Sequence, residues 1–159
     1  MTDADIAAAA AIDAPTRMGE DEFRGELKKP WARLWVAREA GEGVVAFLVG
    51  WHVADEVHVL NLTTRADRRR KGMARALMLE LIAYARRHRV ARALLEVRRS
   101  NCGAIALYRA LGFFATGVRA RYYADDEDAL EMTLAFDPMT GAVVPPAGDA
   151  PLEAPNGRK

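Results

Sequence analysis

Apolar and polar positions alternate along Val57-His58-Val59-Leu60-Asn61-Leu62, which predicts a half-buried strand. Further on, Met73, Leu77, Leu81 and Ala85 recur every four residues, with Met78 and Ile82 beside them. That stripe predicts a helix over residues 73–88. Near the start, Thr2 and Asp5 have the spacing of a capping box and open an alanine-rich helix over residues 3–12. Pro15 and Gly19 interrupt the chain, and a second helix over residues 21–29 is stopped by Pro30. Leu34-Trp35-Val36-Ala37 and residues 44–53 form a hairpin about Gly41-Glu42-Gly43. Beyond the central helix, Arg92-Ala93-Leu94-Leu95-Glu96-Val97 is another strand. Ser100 or Asn101 caps a helix that runs to Ala110 and ends at Gly112. Residues 113–123 read as a strand with a loosely packed end, and residues 130–136 as the last strand. The acidic stretch Asp125-Asp126-Glu127-Asp128 separates the two.

This order predicts an α/β layered structure with a mixed sheet, in which the strand-helix-strand unit at residues 57–97 is a right-handed parallel crossover. A length of 159 residues suits one domain, expected over residues 1–136. From Asp137 on, Pro138, Pro145, Pro146, Pro151 and Pro155 with three glycines show no periodicity, so residues 137–159 are expected to be a disordered tail.

Composition alters the picture only through charge. The net charge of +1 hides a basic segment: from position 65 to 99 there are twelve Arg/Lys against three acids, a balance of +9, so the rest carries −8. Within it, Arg68-Arg69-Arg70-Lys71-Gly72-Met73-Ala74 forms the turn between the first strand described above and its helix. A cationic, glycine-bearing turn at a helix N-terminus suits a phosphate or pyrophosphate, because amide N–H groups and the helix dipole point the same way. A merely solvated turn explains those arginines as well. The basic stretch has no interleaved aromatics for base stacking, so nucleic-acid binding is not expected. The single cysteine, Cys102, excludes an internal disulfide and a multi-cysteine zinc site, and the three histidines have no ligand spacing; no metal is expected. The acidic flanks of the N-terminal stretch do not suit a signal peptide, and no apolar run nears the ~20 residues of a membrane span. A soluble, cytoplasmic protein without a membrane partner is expected.

Arg69-x-x-Gly72-x-Ala74, followed by Asn101-x-x-Ala104-x-x-Leu107-Tyr108-x-x-x-Gly112-Phe113, resembles the GNAT superfamily of acetyl-CoA-dependent N-acetyltransferases. Leu95-Glu96-Val97-Arg98-x-Ser100-Asn101, Arg119-x-Arg121-Tyr122-Tyr123 and Glu127-Asp128-Ala129 are similar to its RimI type, which acetylates the N-terminal amine of a ribosomal protein beginning with alanine. The resemblance implies the GNAT fold, a mixed sheet of about six to seven strands flanked by four helices. Relatives usually carry a β-strand before the first helix, and this chain starts almost at that helix. Many relatives have glycine at the place of Ala74, and the Pro-Trp common before the second helix is missing.

The resemblance further implies that Arg70, Lys71, Gly72, Met73, Ala74 and Arg75 hold the pyrophosphate of acetyl-CoA. Leu62, Thr63 and Thr64 would pair with the pantetheine arm and receive the acetyl carbonyl, and Asn101 would contact the same arm. Glu96 matches the general base and Tyr108 the general acid. The chemistry suits those types. An α-amino group with a pKa near ~8 must lose a proton before it attacks, which a carboxylate raised by burial can accept, and a tyrosine hydroxyl can protonate the departing thiolate. Each residue also has a plainer reading. Glu96 could be a strand-end carboxylate paired with Arg98 or Arg99, Tyr108 a core residue with a satisfied hydroxyl, and the acidic loop either solvated or an attractor of basic peptides. At the level of the molecule, the alternatives are a GNAT acting on a small-molecule amine and a silent acyl-CoA-binding module.

Overall fold

The computed structural model describes residues 1–12, 18–145 and 148; Pro15 and the prolines at 146, 151 and 155 lie outside them. Among the described residues there are seven strands and four α-helices, in the α/β composition expected. The chain divides into two compact units, one of residues 1–53 with 58–84, the other of residues 54–57 with those from 85 on.

In the first unit, the predicted opening helix begins as a 3₁₀ turn, Asp3–Asp5, and continues as α1, Ile6–Ile12. The capping box forms: Thr2 N–H donates to Asp5 Oδ2 at 2.8 Å. Helix α2 spans Glu20–Leu27. Strand β1, Ala32–Glu39, pairs antiparallel with β2, Gly43–Val53, from Ala32 opposite Trp51 to Glu39 opposite Gly43. Strand β3, Glu56–Thr64, is the next neighbour of β2. The apolar face of the hairpin is covered by the helices. Ile6, Ala9, Phe23, Phe47 and Val49 form one buried cluster, with the Phe23 and Phe47 rings edge-on at 5.0 Å. Each such large side chain contributes roughly 1.5–3 kcal/mol by its burial. Helix α3, Met73–Arg87, carries the predicted stripe, with Leu77, Met78, Leu81 and Ala85 all buried.

In the second unit, β4, Arg92–Arg98, pairs antiparallel with β6, Ala129–Phe136, which in turn pairs antiparallel with β5, Phe114–Arg119. Between β4 and β5 lies α4, Cys102–Ala110. Asn101 is its cap, Oδ1 accepting from Ala104 N–H at 3.1 Å, and Gly112 at φ +95° ends it.

Two expectations are corrected here. The strand expected over residues 113–123 stops at Arg119, because Arg121 turns left-handed (φ +52°) and Tyr123 N–H bonds Glu127 O at 3.1 Å. Tyr122 and Tyr123 therefore belong to a loop. The tail expected to be disordered from Asp137 is ordered at its start. Asp137 Oδ1 accepts from the Met139 and Thr140 amides at 3.0 and 2.7 Å, and β7, Val143–Val144, pairs with β6. A two-residue strand is too short to leave a periodic signal.

Candidate active site

The chain preceding α3 is sorted by charge pairing. Arg68, only 16% exposed, is bound by Glu39, Glu42 and Asp67, and Arg65 by Glu42 and Asp67. The hydrogen bond from Arg65 holds the Glu42 and Asp67 carboxyls below their usual range. These two arginines thus brace the turn against the tip of the β1–β2 hairpin. Among the described residues, Arg70, Lys71 and Arg75 form no ion pair, and all three are exposed.

The backbone of the turn is left-handed at Arg70 (φ +64°) and again at Gly72 (φ +83°). A Cβ at Gly72 would meet nothing within 4 Å, so conformation, not crowding, calls for glycine there. The Ala76 amide bonds Gly72 O at 2.9 Å and closes the first turn of α3, leaving the amides of Met73, Ala74 and Arg75 as helix-end donors. Three amides at the N-terminus of a fifteen-residue helix, with three unpaired cations beside them, can hold a pyrophosphate. Leu62, Thr63 and Thr64 close β3 and are half-buried, Thr63 Oγ1 donating to Asn61 Oδ1 at 2.9 Å.

Glu96, Asn101 and Tyr108 belong to the second unit. Glu96 alternates with buried Leu95 and Val97 on β4, and its side chain is 32% exposed, so the burial expected of a base is partial. Its partner is neither Arg98 nor Arg99 but Arg119 of β5, Nη2 to Oε1 at 3.5 Å. Arg98 instead pairs with Asp125 and Glu127 and lies over the Tyr123 ring at 4.0 Å, while Arg99 pairs with Asp128. The Ser100 hydrogen bonds, and then Arg98, pull Glu127 down to about 2. The acidic loop is therefore a strap fastened to the end of β4, not a free acidic surface. An open hollow of ≈ 520 Å³ lies along it, lined by Arg99, Ser100, Asp126, Glu127 and Asp128, and contains none of the expected catalytic side chains.

Asn101 Oδ1 is committed to the α4 cap, which leaves its amide nitrogen as the group that can face a ligand. Tyr108 is 7% exposed and packs on Phe113, ring centres 5.8 Å apart. Among the described residues its hydroxyl has no hydrogen-bond partner. Burial, aided by Tyr123, pushes the phenol up to about 12.

Arg119 and Glu131 were not readable as neighbours of Glu96. The signals were the Arg119-x-Arg121-Tyr122-Tyr123 motif and a lone carboxylate in the otherwise apolar Ala129-Leu130-Glu131-Met132 stretch, neither of which says that the two side chains meet Glu96.

The acetyltransferase (GNAT) family profile matches residues 5–113, and the chain belongs to that family. Its relatives include the [ribosomal protein bS18]-alanine N-acetyltransferase of Escherichia coli K12, 36% identical over 119 residues, which span 66% of this chain and 80% of that protein. The N-alpha-acetyltransferase RimI of Mycobacterium tuberculosis is 33% identical over 138 residues, 77% of this chain and 81% of the other. A crystal structure of the E. coli ribosomal-protein-S18-alanine N-acetyltransferase superposes with a TM-score of 0.77 at 30% identity, covering 93% of each chain. No helix among the described residues is long and apolar enough to cross a membrane.

Proposed function

We propose that this protein transfers acetyl from acetyl-CoA directly to the N-terminal α-amino group of a protein that begins with alanine, the preferred acceptor being a ribosomal protein of the bS18 kind in the cytoplasm. The observation that carries the chemistry is buried Tyr108, whose hydroxyl has no hydrogen-bond partner among the described residues. The acceptor class rests on the likeness to the bS18-alanine and RimI enzymes over most of the chain.

In this reading the amides of residues 70–75 and the unpaired Arg70, Lys71 and Arg75 hold the pyrophosphate of the donor substrate. Leu62, Thr63 and Thr64 supply strand-edge groups to its pantetheine arm, and Asn101 adds an amide donor. Glu96, directly or through a water, takes the proton that the α-ammonium must lose before its nitrogen attacks the thioester carbonyl. Backbone donors at the end of β3 stabilise the oxyanion. Collapse then breaks the C–S bond, and the surplus proton on the attacking nitrogen passes to solvent as the amide forms. Tyr108 donates a hydrogen bond to the departing sulfur. Full transfer from a phenol at about 12 to a thiolate near ~8.5 runs uphill by roughly 3.5 units, about 5 kcal/mol, so it must be coupled to return of a proton from solvent.

The test is incubation with acetyl-CoA and basic peptides that begin with alanine, reading free thiol and the mass of the peptide N-terminus. Acetylated peptide is expected. Acetylation of polyamines, amino acids or aminoglycosides but of no peptide overturns the acceptor class.

A further inference from the structure

We infer that Arg119 and Glu131 are positioning residues that together control the charge and direction of the Glu96 carboxylate. The inference rests on the reading of Glu96 as the base and adds two residues to it.

Three observations meet at this point. First, Glu96 and Glu131 are register partners on antiparallel β4 and β6. Buried Leu95, Val97, Leu130 and Met132 flank them, so both carboxylates stand on the opposite face of the sheet. Register partners have Cβ atoms ~4.5–5.5 Å apart, and two like charges so placed repel unless a cation intervenes. Second, Arg119 is that cation: Nε donates to Glu131 Oε1 at 2.6 Å, and Nη2 stands 3.5 Å from Glu96 Oε1. Third, Glu131 can reach Arg119 because Gly117, its register partner on β5, has no side chain. A Cβ there would land on Glu131 Oε2.

The two contacts of Arg119 are unequal, the short one to Glu131 and the long one to Glu96. Glu131 therefore holds the guanidinium back from full pairing with the base. One cation between two carboxylates leaves a single negative charge, suited to receive an α-ammonium. Within this unit the other groups bearing on Glu96 are Tyr123, which it influences electrostatically, and Arg98 on the same face of β4. Arg98 is already occupied by Asp125 and Glu127, and the Arg119 guanidinium lies over the Tyr122 ring, 5.4 Å from its centre.

Opposite displacements of one pH limb test this. Without Arg119 the ionised base loses its cation, so the acid limb of the kcat/KM profile moves to higher pH, by about one unit in Arg119→Gln. Without Glu131, a repelling charge goes and Arg119 is free to close on Glu96, so the limb moves to lower pH, by about half a unit in Glu131→Gln. Gly117→Ala, which displaces the Glu131 carboxylate, follows Glu131→Gln. Arg119→Lys returns the limb toward wild type.

All variants are assayed in the full chain with acetyl-CoA and an alanine-starting peptide. The carboxyl carbon of Glu96 is also titrated by NMR in the resting protein, which reads the same shift without turnover and serves for any variant too slow to assay. Shifts of opposite sign are expected by both measures. Superimposable limbs, or shifts of the same sign, in variants that unfold at wild-type temperature overturn the inference. Full activity in Glu96→Gln overturns instead the reading of Glu96 as base.

Discussion

Tyr108 shows how much one side chain's surroundings decide. Its ring is core, in contact with Phe113, a place that any apolar residue of similar size could fill; in the proposed reaction only the oxygen at its tip has chemical work to do. Burial raises the phenol to about 12, so the neutral, donating form persists across the whole working range. Because the folded value lies above the ordinary one near ~10, the stability linked to this group is complete below about pH 10 and declines as pH rises through about 12. Tyr108→Phe keeps the packing and removes the donor. It is expected to lower kcat about 100-fold with acetyl-CoA affinity unchanged within about twofold, read by single-turnover kinetics and equilibrium binding. A fall in affinity with little change in the chemical step would remove the role given to the hydroxyl. Ultraviolet titration of phenolate absorbance provides the companion check, one tyrosine fewer ionising near pH 12.

At the scale of elements, the turn before α3 joins two left-handed residues to a braced base. Arg65 and Arg68 tie it to the hairpin tip, and Gly72 at φ +83° lets the chain enter the helix with its first amides open. A β-branched residue at that φ costs about 1–3 kcal/mol, although the space at Gly72 is empty. Gly72→Val is therefore expected to raise KM for acetyl-CoA about tenfold or more while kcat at saturation changes far less. An unchanged KM would show that the turn does not hold the donor. The same scale explains the misjudged end of β5. Residues 120–123 have strand-like composition, but Arg121 N–H bonds Asp128 Oδ1 at 3.0 Å, and that loop-closing contact outweighs local propensity.

At the scale of the whole molecule, each unit has its own buried chemistry. In the first, Asp5 is 2% exposed yet charged, bound to Arg38 Nη2 at 2.6 Å and to Thr2. Burial alone would raise its carboxyl; the Thr2 hydrogen bonds and Arg38 outweigh that and hold it below the usual range. A lowered folded value means the stabilisation is fully present above about pH 4 and disappears as pH falls through the folded value. Asp5→Asn is thus expected to cost about 1–3 kcal/mol at pH 7, and the gap from wild type should narrow at pH 3, read by thermal unfolding at the two pH values. A gap of constant size would mean that packing, not charge, is what Asp5 supplies.

What the sequence by itself determined is what acts over a few residues. The stripe of α3, the Thr2–Asp5 box, the cap at Asn101, the stop at Gly112 and the glycine of the cationic turn all depend on neighbours within one helical turn or one tight bend. That was enough to read most elements, and to name the residue types that an acetyl transfer needs. Tertiary structure alone decided which charges meet. Arg68 was drawn to Glu39, Arg98 to Asp125 and Glu127, and Glu96 to Arg119, partners more than twenty residues away in each case. A long arginine can satisfy any carboxylate within its reach, so pairing is settled by strand register and loop closure. Those depend on the burial of whole faces and leave no mark in the local pattern of residues.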